Sequence, residues 1–462
     1  MHVTLGIDVA CRAAHHASLA GPDGKFIFSG VKFFTRPADL EALWTRIGRF
    51  ETLTVVLEPT RNAWAPLAAW FRRRGAKIVL VPTTQSADLR AYYSKHAKTD
   101  KLDAKILARL PLLHPEGLVA HSGDGPADPL RRAVKVRDGM VKQRTAIYER
   151  IDALLELLGP AWFDAIGSAY GKTALALLSR YADPTMLLRL GQARLVAFLA
   201  RHSHGVLGEQ KAVALIAAAR TSIDLWGPAG IDFGELAADI AAEAQQAQAL
   251  SAQIDDLDER IGNLYAEADP QQIVISAPGV GPVLAGVITG RLGDPRRFKD
   301  LAAVRAYSGL VPRTNQSGVG LSQHGLTKAG DALLRSALYT AADGARKIDP
   351  QLAAKYVRLM TGNRHHVSAM CHIAAILLVR IAHCQRTGQP YVLRDTDGRP
   401  ISTAEGRAIV KACHTVPKEV RKARTSLRRS QTHKNRTGRE QQESHSAPTT
   451  RPAKPDDTTT AA

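Results

Sequence analysis

The sequence predicts an α/β domain, then a mainly α-helical region, then a disordered tail. Three features carry this reading. Over residues 1–115, short β-branched runs alternate with stretches of helical spacing. From residue 129 onward apolar side chains recur at helical intervals, and over 235–265 at heptad intervals. From about Thr415 large apolar side chains almost disappear.

Taken in order, VTLGIDVA reads as the first strand. HHASLA and KFIFSGVKFF read as two more, joined through the turn signal Pro22-Asp23-Gly24. Leu40, Leu43, Trp44 and Ile47 give residues 37–50 a helical face. LTVVLEP is a buried-type strand running into Glu58, Ala63 to Arg74 is a helix with a basic end, and AKIVLVP is a further strand. Ser86 to Leu113 is expected to be mostly helical. Three antiparallel strands followed by alternating helices and strands is the element order of the ribonuclease H-like fold.

Residues 116–128 form a Gly/Pro/Asp-rich linker. A helical and coiled-coil region is expected over 129–268. It opens with a long helix at 129–158 that has a basic face, and several shorter helices follow over 160–230. Ile240, Ala247, Ile254 and Ile261 stand seven apart, and Leu250, Leu257 and Leu264 form the companion series. Glu243 interrupts one position of this seam. The seam suits an oligomerising coiled coil or a hairpin with the 129–158 helix.

A further, mainly helical domain is expected over 269–395. Pro278-Gly279-Val280-Gly281, between two apolar stretches, resembles a helix-hairpin-helix, in which Gly279 and Gly281 would let backbone N–H groups reach a phosphate. A Gly-rich polar loop follows from Arg313, then a helix from near Ala329 and more helix over 350–387. Across 416–462 eleven Lys/Arg face five Asp/Glu, so the tail (415–462) is expected to be disordered and to add salt-sensitive affinity for nucleic acid.

At 462 residues and 45% hydrophobic content, the chain can build more than one core. Its net charge of +19 points to a polyanionic partner, first of all nucleic acid. Cys11, Cys371, Cys384 and Cys413 form no C-x-x-C pair, which argues against a zinc knuckle or a disulfide framework. His365, His366, His372 and His383 match no metal-ligand spacing and are expected to pack or to be solvated. No signal peptide and no apolar run long enough for a membrane span is read, so the expected location is the bacterial cytoplasm, in association with the nucleoid.

Four carboxylates carry the chemistry. Asp8 and Glu58 stand at the ends of strands, and Asp100 and Asp103 are spaced i, i+3 on one helix face. Carboxylates aimed at one point repel unless cations lie between them, and Mg²⁺ is the natural occupant. Two such ions roughly 3.5–4 Å apart clamp the attacking and leaving oxygens of a phosphodiester, and Mn²⁺ is expected to substitute. Lys95, Lys98, Lys101 and Lys105 surround the pair; Lys98 and Lys101 are candidates for phosphate contact. The structural alternatives are a helix N-cap for Asp100 and a lysine pair for Asp103.

GIDVA, VLEPT, KTDKLDA, APGVGPVLA, AYSGLVPRTNQSG and HGLTKAGDALLRSALYTAA resemble, in this order, the DEDD-type transposases of the insertion-sequence 110 family, whose relatives include the Piv type of DNA invertase. The resemblance covers residues 1 to about 385. It implies a RuvC-like domain carrying the tetrad Asp8, Glu58, Asp100 and Asp103, and a transposase domain carrying an essential serine. It also implies assembly into a dimer, with a tetramer in the synaptic complex, and a structured bridge RNA that pairs with donor and target DNA. Ser317 is the best match to the serine and Ser308 the rival; Arg313, His324 and Lys328 lie near Ser317 in sequence. Arg313 and Lys328 are candidate nucleic-acid contacts. The implied chemistry is strand exchange through a covalent phosphoserine. The competing reading is a metal-dependent nuclease of the Holliday-junction resolvase type, in which Ser317 is idle.

Overall fold

The computed structural model describes residues 1–81, 99–115, 118, 120–121, 127–167, 171–227, 230–317 and 320–425. The chain divides into two compact units, Met1–Gly125 and Pro126–Ala462.

In the first unit β1 (His2–Asp8), β2 (His15–Ala20) and β3 (Phe26–Phe33) form an antiparallel meander, and β4 (Thr52–Leu57) and β5 (Lys77–Leu80) extend it in parallel with β1. The sheet order is β3-β2-β1-β4-β5. Among the described residues three helices accompany it: α1 (Pro37–Ile47), α2 (Trp64–Arg73) and α3 (Asp100–Leu113). Strand alternation sorts the side chains. Val3, Leu5, Ile7, Val55 and Leu57 join Leu40, Leu43, Leu67 and Phe71 of α1 and α2 in one core. Val56 and Val79 instead meet Leu107 and Leu110 of α3 in another. Gly6 belongs to that second face: a Cβ there would collide with the backbone of Ala104 and Ala108, so only glycine lets α3 lie so close to β1. Thr99, not Asp100, caps α3, its hydroxyl accepting from Leu102 N at 3.2 Å.

The second unit is built on two long helices, α4 (Ala127–Leu158) and α10 (Phe233–Ala268). Between them run α5 (Pro160–Ile166), α6 (Lys172–Tyr181), α7 (Pro184–Leu190), α8 (Gln192–His202) and α9 (Glu209–Trp226). Arg137 pairs with Asp258, Arg144 with Ser251 and Arg150 with Glu243. As one partner's number rises the other's falls, so α4 and α10 run antiparallel. The heptad residues Ile240, Ala247, Ile254, Leu257 and Ile261 are buried; Ile240 and Ala247 share a core with Ile147, Ile151 and Leu155 of α4, and Leu257 and Ile261 share one with Leu130 and Val134. The seam is therefore filled from within the chain. A heptad pattern specifies that a helix must pack there but not which chain supplies it. Glu243, the apparent flaw, sits at the rim and takes two hydrogen bonds from Arg150, at 2.7 and 2.8 Å.

After α10 the structure departs from the helix-hairpin-helix expectation. Residues 270–280 are turns, and only α11 (Pro282–Leu292) is helical. The buried Asp269 carboxylate accepts from the N–H of Ile273 and Val274, and the Tyr265 hydroxyl accepts from Ile275 N, which fixes the turns and prevents a first hairpin helix. Next come α12 (Leu301–Ser308), the antiparallel hairpin β6 (Pro312–Ser317) and β7 (Gly320–Leu326), α13 (Ala332–Ala345), α14 (Pro350–Thr361), α15 (His366–Thr387) and α16 (Thr403–Cys413). The stretch read as a polar loop is this hairpin, and the helix after it starts at Ala332. The expected tail also begins later: residues 418–425 are helical, Val416 packs on the core, and 426–462 lie outside the described residues. α15 is long and apolar enough to cross a membrane, contrary to the sequence reading. Its Ile373, Leu377, Leu378 and Ile381 are fully buried in the core of the unit.

Candidate metal centre and serine hairpin

Asp8 ends β1 with the parity of Gly6, on the sheet face that α3 covers. Asp100 and Asp103 open α3, one turn apart. The fold thus brings Asp8 and Asp100 together, and it adds a residue that sequence reasoning passed over. His16 is the register partner of Asp8 across β1 and β2. One ligand atom each from Asp8, His16 and Asp100 lie within 4.8 Å of one another. His16 Nδ1 is 3.6 Å from Asp100 Oδ2, with the imidazole largely buried and the Asp100 carboxylate open to solvent. Asp103 is buried on α3, and Glu58 follows the last residue of β4; both stand outside that group of three. The signal for His16 lay in strand alternation: HHASLA pairs with GIDVA, and only every second residue shares the face of Asp8.

The basic residues near this site differ in placement. Lys101 is exposed, and its aliphatic stem lies over Gly30 of β3. Lys105 and Arg109 set their charges over the Phe26 ring, at 5.3 and 4.4 Å from its centroid. Lys98 and Lys95 lie outside the described residues.

In the second unit Ser317 closes β6, its backbone paired with Gly320 of β7, and Arg313 is exposed near the other end of the same strand. Ser308 ends α12, fully buried; its hydroxyl donates to Arg305 O at 2.7 Å and accepts from Leu310 N at 3.3 Å. That is a structural role at a helix end. Arg335 Nη1 donates to Ser308 O at 3.0 Å and to Lys328 O at 3.3 Å, fastening the base of the hairpin. Lys328 adopts φ +52°, an uncommon left-handed conformation for a side-chain-bearing residue. It lines a cavity of about 800 Å³ with Arg335, Tyr339, Asn363, His365 and Arg424, and no carboxylate lines it among the described residues. Gly279, at φ +75°, is a packing glycine: a Cβ there would strike the backbone of Ala341 and Ala345 on α13. Gly281 is exposed at the N-terminus of α11 with open space around it. His365 caps α15, accepting from Val367 N, and His366 shares a 2.8 Å hydrogen bond with the Tyr356 hydroxyl.

Two family models match the chain. One, described as a transposase of the DEDD, IS110 type, covers residues 5–160. The other, the transposase IS116/IS110/IS902 family, covers residues 271–357. Among curated proteins, the 43.6 kDa protein of insertion element IS110 from Streptomyces coelicolor is 26% identical over 379 residues, 80% of this chain and 91% of the relative. The 44.8 kDa protein of insertion element IS116 from Streptomyces clavuligerus is 27% identical over 324 residues, 68% of this chain and 77% of the relative. The mini-circle putative transposase for IS117, also from Streptomyces coelicolor, is 26% identical over 338 residues, 70% and 80% of the two chains.

Proposed function

The chain belongs to the IS110 family of transposases, and we propose that it cuts and rejoins DNA strands through a covalent phosphoserine at Ser317, assisted by a divalent cation held at the carboxylate site. The observation that carries the reading is the approach of Asp8 and Asp100, from the end of a strand and the start of a helix, to within a few ångströms of each other. Two carboxylates at that range repel, and a cation between them removes the cost. The sheet order β3-β2-β1-β4-β5, with acidic residues at the end of β1, after β4 and on α3, supports a ribonuclease H-like, RuvC-like assignment for the first unit.

The donors present fit a hard divalent ion. Asp8 and Asp100 would hold it, with Glu58 and Asp103 completing the tetrad, and Mg²⁺ is the proposed ion. When bound, it supplies positive charge that polarises a phosphodiester. The Ser317 hydroxyl then attacks phosphorus. Its proton leaves, the bond from phosphorus to one strand's oxygen breaks, and that oxygen takes up a proton. One phosphate ester replaces another, so a second strand's hydroxyl reverses the step and rejoins DNA. Arg313 and Lys328, with the cavity beside Lys328, suit the phosphates flanking the break. A structured bridge RNA is the proposed guide, for which the net charge of +19 leaves electrostatic room. Assembly as a dimer, and as a tetramer on DNA, would use surfaces other than the α4–α10 seam.

The test is to incubate the protein with labelled DNA, Mg²⁺ and the element's own RNA and to look for a protein–DNA adduct that survives denaturation. Ser317→Ala should abolish the adduct and leave RNA binding intact. Cleavage that persists in Ser317→Ala would overturn the phosphoserine and favour the resolvase-like nuclease.

A further inference from the structure

We propose that His16 is an additional ligand of the cation site, giving it one nitrogen donor beside the oxygens of Asp8 and Asp100. The proposal rests on the reading of Asp8 and Asp100 as metal ligands. Metal–ligand bonds of roughly 2.0–2.2 Å place two donors on one ion about 3–3.7 Å apart. The 3.6 Å between His16 Nδ1 and Asp100 Oδ2 falls in that range and is too long for a hydrogen bond. The third donor, Asp8, closes the triangle within 4.8 Å. The three come from a strand end, the neighbouring strand and a helix start, so the fold itself holds the arrangement.

His16 is suited to the role by its surroundings. Its side chain is only 14% exposed, so the ring is held in place before any ion arrives. The preceding residue shows the contrast. His15 points to the opposite face, where its Nδ1 accepts from Ala10 N and its Nε2 shares a hydrogen bond with the Thr35 hydroxyl. Strand alternation thus assigns one histidine of the pair to the core and the other to the carboxylates. A simple ion pair between His16 and Asp100 would contribute little with Asp100 63% exposed. An imidazole also has a chemical consequence. Carboxylate-only sites suit Mg²⁺, whereas a nitrogen donor shifts preference toward transition ions such as Mn²⁺. Manganese thereby gains at this centre relative to a site of oxygen donors alone, with Mg²⁺ still the proposed ion.

The experiment uses the full chain with stoichiometric Mn²⁺ and reads pulsed electron paramagnetic resonance. In the wild type, Mn²⁺ should show ¹⁴N modulation from a directly bound imidazole. His16→Ala and His16→Gln should lose it, with Mn²⁺ affinity falling roughly tenfold and Mg²⁺ affinity changing less. Circular dichroism confirms that both variants fold, and Asp8→Asn tests whether the bound ion is at this centre. Asp8-dependent Mn²⁺ binding without ¹⁴N coupling, or with coupling that survives both His16 variants, overturns the proposal and leaves the carboxylate site standing. Mn²⁺ binding indifferent to Asp8→Asn overturns the carboxylate site, and the role of His16 with it.

Discussion

Gly6 of β1 and Ala104 of α3 meet backbone to backbone, with no room for even a methyl group between them. The contact lies two residues before Asp8 and one turn after Asp100, so it sets how closely the helix carrying Asp100 approaches the strand carrying Asp8. Gly6→Ala should force α3 off the sheet, at about 1–3 kcal/mol for overpacking. A lower urea midpoint and weaker metal binding, with Asp8 and Asp100 both intact, are the expected results. Unchanged metal affinity would mean that the seat of α3 does not govern the site.

The α4–α10 seam yields a second prediction. Ile254 is 2% exposed at the centre of α10, and truncating a buried Ile to Ala costs about 2–5 kcal/mol. Because α4 of the same chain fills the seam, the loss in Ile254→Ala should not depend on protein concentration, and light scattering should return the wild-type mass. A fall in mass would make the seam an intersubunit contact.

Ser308 and Ser317 separate structure from chemistry. Ser308→Ala removes a fully buried hydroxyl with two backbone partners, so about 1–3 kcal/mol of stability should go while strand cleavage remains. Ser317 sits at the end of β6, and Ser317→Ala should leave the melting temperature within error and abolish the covalent adduct. The reverse pattern in thermal melts and adduct gels would exchange the two roles.

How far the sequence reached can be traced residue by residue. The placement of Asp8 and Glu58 at strand ends and of Asp100 and Asp103 on one helix was legible because strand ends and i, i+3 spacing are local properties. His16 was not, since its meaning depends on the register between β1 and β2, a non-local fact. The β6–β7 hairpin was hidden by its composition: PRTNQS and GLSQHGL bear few large apolar side chains, and the ladder of backbone hydrogen bonds makes the strands. Ile273 to Ser276 looked helical by apolar content, yet the buried Asp269 claims the N–H groups a helix would use. The seam was visible over four heptads, but its partner was not, because α4 is as suitable a neighbour as a second copy.

Lys328 offers a test by salt. The residue lines a cavity free of carboxylates among the described residues, where a phosphate would displace counterions. Lys328→Ala should weaken binding to all DNA sequences alike and should reduce the slope of log K against log salt by about 0.7–0.9. An unchanged slope in filter-binding titrations from low to high salt would remove Lys328 from the nucleic-acid contact.

His366 gives the second unit a predictable response to pH. Burial pushes its pKa below the usual value, and the positive charges of Arg421 and Arg346 push the same way; Asp343 opposes them, and His365 adds slightly to the lowering. His15 and His372 are lowered as well, again by burial first. A histidine whose folded pKa lies below its unfolded value of about 6.5 binds fewer protons folded than unfolded, so stability rises with pH through that window. The contribution is complete above the unfolded pKa and is lost as pH falls toward the folded one. Urea midpoints should therefore decline from pH 7.5 to pH 5.5, before most carboxylates titrate. His366→Asn keeps a polar partner for the Tyr356 hydroxyl and should flatten part of that decline. A midpoint that rises as pH falls, or a decline of equal steepness in the variant, would show that the burial of His366 does not set the response.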